Sequence, residues 1–154
     1  MKLTPSLTFI DVSYCSRLTD NSLERLAESH TNLRHLNVNG CSALSDAGFG
    51  RLCSQCTNLE ALFVEGCTKL TEAAFYSIAN GCTNLSTLNC AHSDAMSNSC
   101  LQYLLYKCPK LCSIDVCHCK FISSEFIYNQ LRHQSSVLKI KLEEEKQLRL
   151  YNFY

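Results

Sequence analysis

The densest run of reactive side chains in the sequence is Cys108-Pro-Lys-Leu-Cys112-Ser-Ile-Asp-Val-Cys117-His118-Cys119, with four thiols and an imidazole. Soft ligands of this kind are what a tetrahedral zinc ion takes. The stretch holds no C-x-x-C pair to bring two thiolates together, so it does not read as a metal site. Two shorter groups, Cys117-His118 and His92-Ser93-Asp94, place a nucleophile beside a base. A dyad needs its side chains to converge, whereas neighbours in an extended chain point to opposite faces. No glycine-rich phosphate loop accompanies them. The expectation is a chain without catalytic, cofactor-binding or metal-binding residues, in which Cys117 is the thiol whose reactivity merits measurement.

Twelve cysteines in 154 residues would suit a disulfide scaffold in a secreted chain. The start, Met1-Lys2-Leu3-Thr4-Pro5-Ser6, lacks the apolar core of a signal peptide. Reduced thiols in the cytoplasm or nucleus fit better, each acting as a small apolar core residue. Lys plus Arg and Asp plus Glu both number 14, which leaves no excess positive charge for nucleic acid or an anionic membrane.

The elements that position these residues come from one period of 26 residues, which requires no insertion across most of the chain. Leu7, Leu33, Leu59, Leu85 and Leu111 open the repeats, with a weaker sixth at Val137. Ile10, Leu36, Leu62, Leu88, Ile114 and Ile140 follow three residues later, then Val12, Val38, Val64, Cys90, Val116 and Leu142, an L-x-x-L-x-L spacing that reads as a strand. Cys15, Cys41, Cys67, Ser93 and Cys119 form the next column, ahead of Leu18, Leu44, Leu70, Met96 and Ile122. Each column is expected at one depth of a shared core.

The second half of every repeat changes period. Leu23 and Leu26, Phe49 and Leu52, Phe75 and Ile78, Leu101 and Leu104 are three apart, the spacing of one helix face. Thr19-Asp20, Ser45-Asp46, Thr71-Glu72, Ser97-Asn98 and Ser123-Ser124 offer helix starts. His30, Cys56, Cys82, Cys108 and Gln134 close the helices. One such unit cannot bury its own apolar face, so the units must stack, with a parallel sheet on one side and a row of helices on the other.

Cys41-Ser-Ala-Leu-Ser-Asp46, Cys67-Thr-Lys-Leu-Thr-Glu72 and Cys108-Pro-Lys-Leu111 resemble the cysteine-containing leucine-rich repeat, written C-x-x-L-T-D and C-P-x-L. The resemblance implies an α/β leucine-rich-repeat solenoid, curved and right-handed, with its sheet on the concave face and its helices on the convex one. It divides the chain into a lead-in at 1–6, five repeats over 7–136, and a last strand with a C-terminal cap over 137–154. In that family the repeats are mostly the substrate-recognition arm of F-box proteins in SKP-cullin-F-box ubiquitin ligases, or belong to the similar antagonist-of-mitotic-exit proteins. The resemblance therefore implies a protein target held for ubiquitination, with any contact to the SKP adaptor and cullin made by an F-box region outside these residues. A stand-alone adaptor that binds one protein without a ligase is the alternative.

The strand positions between the buried ones form the open sheet face, and they carry the expected partner contacts. One column is Asp11, Asn37, Phe63, Asn89 and Asp115, flanked by Phe9, His35, Ala61, Thr87 and Ser113 and by Ser13, Asn39, Glu65, Ala91 and Cys117. Phe63 is the expected anchor, an exposed aromatic among hydrogen-bonding groups. Asn37, Asn89 and His35 stand around it, and Asp11, Glu65 and Asp115 favour a partner carrying Lys or Arg. Leu7, Ile10 and Val12 are expected at an uncovered N-terminal edge. Beyond Leu142, the apolar Leu148, Leu150, Tyr151, Phe153 and Tyr154 suit a cap over the last repeat.

Overall fold

The computed structural model describes residues 6–133 and 138–143. Six three-residue strands, β1 (Phe9–Asp11), β2 (His35–Asn37), β3 (Ala61–Phe63), β4 (Thr87–Asn89), β5 (Ser113–Asp115) and β6 (Lys139–Lys141), pair in parallel in chain order. Ile10, Leu36, Leu62, Leu88, Ile114 and Ile140 stand in register through the sheet, each 26 residues after the last. Ten-residue helices connect them: α1 (Asp20–Ser29), α2 (Asp46–Gln55), α3 (Glu72–Gly81), α4 (Asn98–Lys107) and α5 (Ser124–His133). This is a leucine-rich-repeat solenoid. The proposed C-terminal cap over 144–154 and the helix-closing Gln134 lie outside the described residues.

The core runs as one cluster through all the repeats, with Phe49 and Phe75 as its largest fully buried side chains. At its N-terminal edge the core thins, as expected for Leu7, Ile10 and Val12 at an uncovered edge, and Cys15 alone of its column lies exposed. Cys15 is exposed, Ile10 and Val12 are half-buried and Phe9 is 62% exposed, because among the described residues no repeat stacks on β1. Toward the other end, Gln130 is half-buried and Leu131 packs against the core beside it.

Why cysteine serves in these columns is visible in its bonds. The thiols of Cys41, Cys67 and Cys119 donate to the carbonyls of Val12, Val38 and Cys90 in the preceding repeat, each at 3.2 Å. At the helix ends Cys56 and Cys108 donate to His30 and Cys82 carbonyls at 3.6 and 3.5 Å. A side chain that is small, apolar and a weak donor fills the core gap and serves a carbonyl turned toward the neighbouring repeat.

The helix starts do more than cap. Thr19, Thr71 and Ser97 accept from backbone N–H groups of their own helices. The residue just inside each of the first four helices then clamps the next repeat: Asp20 takes the N–H and hydroxyl of Ser45 at 2.8 and 2.6 Å, and Asp46 takes those of Thr71 at the same distances. Glu72 accepts from the Ser97 hydroxyl and Asn98 from the Ser123 N–H. The polar-acidic pair thus fixes the spacing between repeats as well as the helix start.

After each of the first five strands the chain turns through a left-handed position held by Tyr14, Gly40, Gly66, His92 and His118, with φ of 60, 70, 71, 60 and 59°. Glycine adopts this conformation without the strain a Cβ brings. A Cβ on Gly40 would also stand 2.5 Å from the Tyr14 ring. Since Tyr14 is exposed and can swing aside, the backbone is the larger part of the effect. Gly40→Ala is expected to lower stability by about 1 kcal/mol, read as a lower urea midpoint at unchanged m-value; an unchanged midpoint would show that the turn relaxes.

Candidate functional site

Each inner strand buries its middle residue and turns its two outer residues to the open face. This brings Asp11, Asn37, Phe63, Asn89 and Asp115 into one line, adjacent residues being direct partners across neighbouring strands. His35 and Glu65 lie in the flanking lines, His35 against the Phe9 ring at 6.1 Å. Ala61 and Ala91 are buried, and Phe63 is half-buried rather than exposed. Parallel strands about 4.8 Å apart leave a ring in the middle of the array partly covered by its neighbours.

Four of the five members of the line have a backbone task. Asp11, Asn37, Asn89 and Asp115 each accept, through Oδ1, the N–H of the residue two further on: Ser13 at 2.9 Å, and Asn39, Ala91 and Cys117 at 3.0 Å. These short side chains close the turn that ends each strand. Phe63 cannot do so. The N–H it leaves, that of Glu65, is taken instead by Asn39 Oδ1 from the repeat before, at 2.8 Å. Repeat three has therefore given up the turn-closing side chain, with its loss made good locally, and carries an aromatic in its place.

Charge along the face is uneven. Asp115 is paired with Lys141 at 2.8 Å, and its side chain is only 17% exposed. Burial acts to raise its pKa, but donation by Lys141 and by the Cys117 N–H outweighs this and holds it below its ordinary value of 3.8. Asp115 therefore adds no free negative charge for a partner. Asp11 accepts from Asn37 Nδ2 at 2.9 Å and Glu65 from Asn89 Nδ2 at 3.1 Å. Those carboxamides cancel no charge. The Ser13 N–H and hydroxyl hold Asp11 below the usual carboxylate range.

Lys141 was countable in the sequence, 26 residues after Asp115 in the same register. Its pairing sets an expectation for pH. A carboxylate whose folded pKa is depressed contributes stability above its unfolded pKa and loses it as pH falls through the folded value. The difference in melting temperature between the wild type and Lys141→Met should therefore be present at neutral pH and vanish below the ordinary value of 3.8. A difference that persists in acid would show that Lys141 acts through packing instead.

The residues first singled out for chemistry are used otherwise. Cys117 is half-buried on the open face, and burial, with donation to Asp115 next, pushes its thiol up to about 11. It is protonated at neutral pH and so a weak nucleophile. His92 stacks on His118 with centroids 4.4 Å apart, while Asp94 is paired with Lys120 at 2.8 Å. Among the described residues no group of three or more His, Cys, Asp or Glu side chains is placed to hold a metal ion.

Neither a family model nor a curated protein matches this chain. Solved structures do. The yeast Rad7 structure, determined as a complex of Rad7 and Elc1, is similar with a TM-score of 0.70 at 22% identity, covering 84% of this chain and 31% of that one. The tropomodulin C-terminal domain of Caenorhabditis elegans is similar with a TM-score of 0.59 at 14% identity, covering 96% of this chain and 86% of that one. Both likenesses are of fold, and both neighbours are repeat proteins. The chain spans about a third of the length of the Rad7 chain it matches. Among the described residues no helix is long and apolar enough to cross a membrane.

Proposed function

We propose that this chain is a protein-binding module whose concave sheet face holds a protein target around Phe63, and that it serves as the substrate-recognition part of an SKP-cullin-F-box ubiquitin ligase. The observation that carries the binding reading is the exchange in repeat three. A turn-closing Asp or Asn gives way to Phe63, and Asn39 takes over the Glu65 N–H. An aromatic placed among carboxamides and a carboxylate is the composition of an interface anchor. The Rad7 neighbour, solved with a protein partner, agrees with such a role for this fold. The ligase reading rests on the C-x-x-L-T-D and C-P-x-L pattern, with the adaptor and cullin contacted through a region outside these residues. The module is cytoplasmic or nuclear and performs no catalysis of its own.

Affinity capture from extract with the wild-type chain and with Phe63→Ala tests this. The target should be held by the wild type and weakened by at least about 1 kcal/mol, roughly fivefold, in the variant, while the circular dichroism of the two stays the same. Co-capture of a cullin with the natural full-length protein, and accumulation of the target when that protein is removed, would support the ligase role. A target that is bound but whose level does not change would favour a stand-alone adaptor. Equal capture by the folded variant would place binding elsewhere.

A further inference from the structure

The environment of Phe63 also states what kind of side chain it suits. Its ring has Asn37 and Asn89 directly across the neighbouring strands and Ala61 two residues before it on the same face. Glu65, two residues after it, lies in the turn that ends β3. The Glu65 carboxylate reaches back toward β4, where its Oε2 accepts from Asn89, the cross-strand partner of Phe63. A carboxylate is thus held beside the aromatic by a neutral carboxamide.

Negative charge here is held without an ion pair, Lys141 acting on Glu65 only through space while it is paired with Asp115. Asp115 has Lys141 at 2.8 Å. Among the described residues Asp11, two strands away on β1, and Glu65, in the turn after β3, are held by Asn37 and Asn89 and have no cationic side chain in an ion pair with them. The complement of this arrangement is a cation with a flat face.

We propose that the concave face receives an arginine of its protein partner at Phe63, the guanidinium stacked on the ring and donating to the Glu65 carboxylate. This rests on the reading of the sheet face as the protein-binding surface. Arginine fits where lysine does not. Its planar group stacks on an aromatic ring while its in-plane N–H groups remain free for a carboxylate, whereas an ammonium is a compact, strongly hydrated point charge. Ala61 and Ala91 on the flanking lines are small and bring no polar side chain that would compete for the guanidinium. Asp11, farther along the same line, adds attraction for further basic residues of the segment without touching the guanidinium.

The test uses the full chain and phage-displayed random peptides as the probe, with the selected peptides then synthesised and titrated. Arginine should recur at one position of the selected peptides. Its replacement by lysine should weaken binding at least about tenfold, and Glu65→Gln, which keeps the bond to Asn89, should do the same. Phe63→Ala should weaken binding further. Peptides without arginine, tolerance of lysine, or indifference to Glu65→Gln overturns the arginine assignment. Sensitivity to Phe63→Ala would in those cases leave the face reading standing. Peptides indifferent to both substitutions overturn the two readings together, and a selection that yields no binder overturns the arginine proposal.

Discussion

Replacing Cys67 by arginine is expected to abolish cooperative folding. Cys67 is 6% exposed in the middle of the stack, and burial pushes its thiol up to about 12, a sign of how little polarity surrounds it. Its Sγ donates to the Val38 carbonyl of the preceding repeat at 3.2 Å. An arginine there is larger and brings a charge with no buried anion to meet it. An uncompensated buried charge costs several kcal/mol, against the roughly 5–15 kcal/mol by which a domain is stable. The variant should show loss of the far-ultraviolet helical signal or no unfolding transition in urea. Cys67→Ala, which removes only the sulfur, should fold and lose about 1–2 kcal/mol. An arginine variant as stable as the wild type would show that the cysteine column does not pack as the core.

Phe75→Ala is expected to be the costliest truncation that still leaves a folded chain. Phe75 is 1% exposed on α3 and belongs to the column of Leu23, Phe49, Leu101 and Ile127 that runs behind the sheet. Removing its ring should cost about 3–5 kcal/mol from lost burial and the cavity left behind. Repeats are held by their immediate neighbours, so a void in the third repeat weakens both of its interfaces at once. Urea unfolding of Phe75→Ala should show a much lower midpoint and, if the halves uncouple, a smaller m-value. Phe121, 62% exposed, is the comparison: its truncation should change stability by less than about 0.5 kcal/mol. Equal effects at the two positions would contradict the core assignment.

The skeleton of this molecule was legible in the residues because the apolar columns repeat without a break. A period of 26 aligns Ile10 with Leu36 and Leu62 whatever the polar residues do, and the strands pair in that register. The change of period within each repeat located the helices, and Thr19, Thr71 and Ser97 start them as read. Depth at the edge was less legible. Column membership says which way a side chain points, while burial needs a neighbour on both sides, and Cys15 has a following repeat stacked on it and, among the described residues, none before it.

The polar face was the hardest part to read. A line of Asp and Asn on an open sheet looks the same whether it meets a partner or closes its own turns, because both uses select short hydrogen-bonding side chains. Asp11, Asn37, Asn89 and Asp115 have the second use in this structure, which leaves Phe63 as the member of the line that departs from the pattern. The acidic residue after each helix start was likewise read as part of a cap, although Asp20 and Asp46 reach across to the next repeat. A clue lay in the spacing: Asp20, Asp46, Glu72 and Asn98 each stand 25 residues before the polar residue that opens the next helix.

The concave-face account is tested most directly by placing a photo-reactive benzophenone side chain at position 63 in one sample and at position 106 in another, and illuminating each in cell extract. Tyr106 is exposed on α4, on the helical side of the solenoid. The account predicts a discrete cross-linked protein from position 63 that is competed by an excess of unmodified chain, and no such product from position 106. A competed product from position 106, with none from position 63, would put the partner on the helices and contradict it.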